Sequence, residues 1–120
     1  MRRLFLLAAL VATSVAAVIT TAAFAKTPML QGEVGPGFKI EVTNAADKDV
    51  KSLMHGKYTL RVEDKSSIHN FHLMGPGVNK MTTVGFTGKQ TWTVTLKKGK
   101  YTYQCDPHAA SGMKGTFKVT

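Results

Sequence analysis

The chain carries a single cysteine, Cys105, in 120 residues, so no internal disulfide can staple it. It lacks any sustained 3.6-residue hydrophobic periodicity, which excludes a helical bundle. It also lacks internal repeats, low-complexity stretches and linkers, which excludes a solenoid or a string of sub-domains. Acidic residues are few, 7 against 16 lysines and arginines. The basic residues are scattered rather than clustered, which argues against a nucleic-acid surface. A positive balance of this kind suits encounter with acidic proteins or anionic lipid surfaces.

Long apolar runs are confined to the N-terminus. Arg2 and Arg3 form a basic start, residues 4–19 are apolar, and Ala23-Phe24-Ala25 is a small-x-small cleavage site. These features predict an export signal over 1–25, cut after Ala25, with an uncleaved membrane anchor as the alternative. No cysteine follows the cleavage site, so a lipid anchor has no support. The remainder, residues 26–120, is enough for one small domain. It carries fourteen basic and seven acidic residues, a formal charge of +7. Its expected location is periplasmic or secreted, without stable membrane insertion once the signal is gone. In an oxidising compartment an exposed lone thiol is a liability, so Cys105 must be buried and inert, or occupied.

From Leu30 onward the pattern is period-two alternation broken by glycine, proline and asparagine. The expectation is an all-β sandwich. Phe38, Ile40 and Val42 share one face of a strand, and Tyr58, Leu60 and Val62 share one face of another. Further strands are expected over 68–73, 91–96, 101–105 and 116–119. Turns are expected at Gly35-Pro36-Gly37, over 44–48, and at His55-Gly56, Gly75-Pro76-Gly77, Gly88-Lys89 and Lys98-Gly99. Residues 44–56 read as either a short edge strand or a helical turn.

The chemistry lies near the C-terminus, where Cys105, His108 and Met113 follow one another at C-x2-H-x4-M spacing. Thiolate and thioether are soft donors that favour Cu(I), and imidazole also suits Cu(II), so the set can hold copper in either state. Taken alone, the run is also compatible with zinc or with no metal. Pro107 ends the strand that carries the cysteine, and Ser111-Gly112 lets the chain reverse before Met113. A second imidazole is expected at His69. In a strand over 68–73, positions 69, 71 and 73 lie on one side, and Phe71 and Leu73 mark that side as the core. His72 then falls on the other face and reads as a solvent-facing or edge histidine. Met29, Met54, Met74 and Met81 read as gap-filling apolar residues, with Met74 and His55 as candidates for the rim of the site.

Over most of residues 30–120 the chain resembles the cupredoxins, the small blue copper proteins, particularly the plastocyanin, pseudoazurin and amicyanin group. The likeness is carried by His69-Asn70, by Tyr101-x-Tyr103-x-Cys105-x-Pro107-His108 and by Met113-Lys114-Gly115. It implies a Greek-key β-sandwich of about seven to eight strands. It implies one type 1 copper held by His69, Cys105 and His108 near a plane, with Met113 as a weak axial ligand. Asn70 would tie the first ligand's strand to the cysteine loop. The implied function is the shuttling of single electrons between protein redox partners, an acidic one among them, by a monomer that is not itself an enzyme. The alternative is a copper-binding or trafficking protein with no dedicated electron-transfer role. His108 would be the electron port, reached across Gly75, Pro76, Gly77, Ala109 and Ala110, with Lys80 and Lys114 steering the partner. Two residues depart from the family pattern: Asp106 replaces the usual small hydroxyl residue after the cysteine, and Ile68 stands where proline often precedes the histidine.

Overall fold

The computed structural model describes residues 12, 14–23 and 25–120. Arg2, Arg3 and Phe24 of the expected export signal lie outside the described residues. Residues 14–23 are exposed and without regular secondary structure. Among the described residues no helix is long and apolar enough to cross a membrane.

The described strands are β1 (Met29–Val34), β2 (Ile40–Asn44), β3 (Ser52–Leu53), β4 (Gly56–Asp64), β5 (His72–Gly75), β6 (Val78–Met81), β7 (Gly88–Leu96), β8 (Gly99–Gln104) and β9 (Lys114–Val119). One sheet has the order β2-β1-β4-β7 and the other β3-β9-β8-β5-β6. The expected two-sheet sandwich is therefore present, with nine strands among the described residues rather than seven to eight. The strands that alternation does not predict are β1, interrupted by Gly32, and the short β6, whose exposed Asn79, Lys80 and Met81 carry no apolar pattern. The ambiguous stretch 44–56 resolves as the two-residue edge strand β3, paired parallel to β9.

Alternation explains how the sheets close. Along β4 the inward residues are Tyr58, Leu60, Val62 and Asp64, facing Val94, Trp92 and Gln90 of β7 across an antiparallel register. In the other sheet Tyr101 and Tyr103 of β8 point inward beside Phe117 of β9, and the Tyr101 and Phe117 rings stack at 5.3 Å. Phe71 joins the layers. Its fully buried ring stacks on Tyr103 at 6.3 Å and approaches Trp92 of the opposite sheet at 6.2 Å. Each such buried side chain contributes about 1.5–3 kcal/mol through apolar area removed from water.

Three expectations about placement are corrected. The stretch expected as a strand over 68–73 enters the sheet only at His72, because the backbone N–H of Phe71 donates to the Thr82 hydroxyl (2.9 Å) instead of to a neighbouring strand. Phe38 is 61% exposed and precedes β2, so it does not share the inward face with Val42. The expected turn at Gly88-Lys89 is the start of β7, the chain having already turned near Val84 and Gly85.

Gly32 of β1 faces the Phe71 ring so closely that an added Cβ would lie 2.6 Å from Cζ. With Phe71 wedged between Tyr103 and Trp92, the ring has little room to yield. Gly32→Ala is therefore expected to destabilise the fold by about 1–3 kcal/mol, read as a lower urea midpoint at unchanged m-value.

Candidate metal centre

Two loops at one end of the sandwich supply the donor atoms. The first follows β4: Asp64 accepts the Ser66 N–H (3.0 Å), and the His69 N–H reaches back to the Ser66 carbonyl (3.4 Å), turning the chain inward. The second follows β8. Cys105 ends the extended segment, and Asp106–Ser111 forms a 3-10 helix with Pro107 in its first turn, where a missing N–H is tolerated. Gly112 closes that helix with φ +93°, a left-handed conformation that suits glycine. The Gly112 N–H donates to the Ala109 carbonyl, and the Met113 N–H to the His108 carbonyl.

The result brings together three of the four expected donors. Nδ1 of His69 and Nδ1 of His108 are 3.0 Å apart, and Cys105 Sγ lies 3.6 Å from the first and 3.4 Å from the second. Cys105 is fully buried, His69 is 1% exposed, and His108 is half-buried. Metal–nitrogen bonds of about 2.0 Å and a metal–thiolate bond of about 2.3 Å would separate donors by roughly 3–3.8 Å over angles of about 90–120°. The triangle fits one small cation. Met113, the fourth expected donor, is 2% exposed; its carbonyl accepts the Cys105 N–H (3.0 Å) and its N–H donates to the His108 carbonyl (3.2 Å). Those bonds tie its backbone to both Cys105 and His108.

Asn70 stitches the two loops together. Its Oδ1 accepts the Asp106 N–H (2.7 Å), while its Nδ2 donates to Asp106 Oδ2 (2.8 Å) and to the Thr82 carbonyl (3.2 Å). The expected role of Asn70 is thus visible as bonds. Behind it, Thr82 accepts the Phe71 N–H and donates to Asp64 Oδ2 (3.3 Å). Asp64 is 1% exposed. Burial pushes its carboxyl above the ordinary range, against the Ser66 N–H, the Thr82 hydroxyl and the charge of His69, which pull it down.

Other expectations need correction. His72 is not solvent-facing: it is 9% exposed, and its Nδ1 meets the Asp106 carboxylate at 2.8 and 3.0 Å. Parity did put it on the face away from the core, but the Cys105–Met113 segment brings Asp106 over that face. Gly75-Pro76-Gly77 does not border His108. The β5–β8 register pairs His72 with Gln104 and Met74 with Thr102, so the turn after β5 lies at the opposite end, where the Pro76 carbonyl accepts the Tyr101 hydroxyl (2.8 Å). His55 is at that far end too, its Nδ1 on the carbonyl of Thr120 (3.0 Å). The turn that does border the site is the earlier one. Phe38 packs edge-on against His108 at 4.7 Å and against His69 at 5.7 Å.

Asp64, Thr82 and Phe38 also contribute to the site, beyond the residues to which the motifs point. A charged residue in register with inward-facing Tyr58, Leu60 and Val62 was a readable sign for Asp64. Nothing in the local sequence marks Phe38 or Thr82.

The profile of the copper binding proteins of the plastocyanin/azurin family matches residues 33–120. A plastocyanin from Daucus carota is 53% identical over 32 residues, 26% of this chain and 33% of the relative, so the match spans about a third of that protein's length. Reduced rusticyanin superposes with a TM-score of 0.58 at 24% identity, over 82% of each chain. Reduced auracyanin from Roseiflexus castenholzii gives 0.53 at 22% identity, over 81% of this chain and 99% of the other. A multi-copper oxidase from Pediococcus acidilactici gives 0.57 at 14% identity, over 88% of this chain but 29% of the oxidase. At these identities the structural likeness is one of fold.

The Asp64 carboxyl generates a pH prediction. A folded-state value above the unfolded one means that the folded protein holds the proton more tightly. Stability is then highest below the unfolded value and falls as pH rises through the folded one. Urea unfolding of parent and Asp64→Asn across that window is expected to show the parent losing stability relative to the variant as pH rises, with the difference levelling off once Asp64 is ionised.

Proposed function

Because the chain belongs to the plastocyanin/azurin family of copper binding proteins, we propose that it is a small exported one-electron carrier whose copper is held by His69, Cys105, His108 and Met113. The observation that carries this reading is the triangle of two Nδ1 atoms and one thiol, 3.0–3.6 Å on a side, closed within the protein. Bound there, copper would supply a Cu(I)/Cu(II) couple to which a mixed thiolate, imidazole and thioether set is well matched.

The chain's own residues account for the rest. Asn70 and the Met113 backbone hold the donor loops before any ion arrives, so little rearrangement is needed on loading or on a change of charge. Phe71, Tyr103 and the buried face of the cysteine strand keep water from the thiol side. Four protein donors leave no coordination position for a substrate, which supports a carrier over an enzyme. The exposed edge belongs to His108, flanked by Phe38, Ala109 and Ala110, and this apolar rim would let a redox partner approach the imidazole closely. The formal charge of +7 on residues 26–120 favours an acidic partner.

Adding Cu(II) to the refolded protein is expected to produce an intense blue thiolate-to-copper absorption and a reversible one-electron wave. Cys105→Ser is expected to abolish the colour while leaving the fold intact by circular dichroism. A colourless parent would refute the assignment, and tight binding without a reversible wave would favour copper handling instead. Export is tested separately: mass spectrometry of the protein recovered outside the cytoplasm is expected to give a chain beginning at Lys26.

A further inference from the structure

The carboxylate that follows the cysteine gathers donors from three segments. Asp106 accepts from Gln104 Nε2 of β8 (2.9 Å), from Asn70 Nδ2 of the first donor loop (2.8 Å) and from His72 Nδ1 of β5 (2.8 Å). These bonds and the charge of His72 outweigh the burial that pushes its carboxyl up, and hold it below the ordinary range. The 3-10 helix that Asp106 opens has no side-chain cap at Cys105, so anchoring of the loop's first turn falls to Asp106. On the far side of the His72 ring, Nε2 meets Asn79 Oδ1 of β6 at 2.6 Å. Both ring nitrogens of His72 thus face oxygen atoms, an arrangement that a ring with hydrogen on both would satisfy. The pair thus lies one residue from the thiol on one side and is tied into β5 and β6 on the other.

We propose that Asp106 and His72 are positioning residues for the metal centre, clamping the cysteine loop onto β5 and setting the balance between oxidation states through the charge they present beside the thiolate. The inference rests on the copper reading above. An anion next to the ligand favours the more highly charged ion, and a cation opposite offsets it. The Asp106 side chain is 37% exposed and that of His72 11%, so solvent screens the acid more than its partner. A clamp with a purely mechanical role would stabilise both oxidation states alike and leave their ratio unchanged.

Opposite signs make the test. Voltammetry on the copper-loaded protein is expected to show Asp106→Asn shifting the equilibrium toward Cu(I) by roughly tenfold, which is about 59 mV for a one-electron couple. His72→Gln, which can still donate to the carboxylate, is expected to shift it toward Cu(II), and the double variant to return near the parent. A blue parent whose variants fold and stay blue, yet show unmoved potentials or shifts of the same sign, would overturn the electrostatic role. A parent that never turns blue would overturn the copper reading and this role together. The clamp has its own readout without metal: in the copper-free protein Asp106→Ala is expected to speed alkylation of the fully buried Cys105 several-fold, and an unchanged rate would overturn it.

Discussion

The side chain of Asn70 is the join on which the site end depends. Donor atoms 36 residues apart in sequence can stay within hydrogen-bond range of each other only if their loops are held in one frame, and neither loop belongs to a sheet ladder at that point. Asn70 supplies the frame by spending its amide on the other loop and on Thr82. It is 2% exposed. Losing it would leave the buried Thr82 carbonyl without that donor, at a cost of about 1–3 kcal/mol, and would release the Asp106 N–H as well. Phe71, the next residue, carries the frame into the core by filling the space between the sheets.

Layered behind that join, the polar groups form a graded series. Asp64 lies deepest, where burial opposes its charge, and it acts as an acceptor for the turn and for Thr82. Asp106 lies nearer the surface, where donors from three segments sustain its charge. Two acids of the same kind are pushed in opposite directions because burial outweighs the donors at Asp64, whereas three side-chain donors outweigh burial at Asp106. The series leaves the thiol and both imidazole Nδ1 atoms facing each other, while the polar bonds are made around them rather than to them.

Much of this is legible in the sequence. Strand positions 58–62, 91–96, 101–104 and 116–119 follow from alternation, and the sandwich follows from the strands. Strand parity puts His69 inward and His72 on the face away from the core, and the structure agrees even though residues 69–71 lie outside any strand. What parity could not show is that the outward face would be covered. The Cys105–Met113 segment folds across it, which buries His72 and gives Asp106 its partners. In the same way the resemblance implies a glycine-proline turn at the site's rim, and only the register of β5 against β8 decides which of two such turns is at that end.

The sequence by itself determined the class of fold and marked out His69, Cys105 and His108, which the structure brings together, since side-chain periodicity and ligand chemistry are local properties that a few neighbouring residues express. Tertiary structure alone decided the 3.0 Å approach of His69 to His108, the packing of Phe38 on both rings, the far position of Gly75-Pro76-Gly77 and the pairing of Asp106 with His72. Those depend on strand order, register and the path of loops, which are settled by long-range packing between segments that share no local pattern.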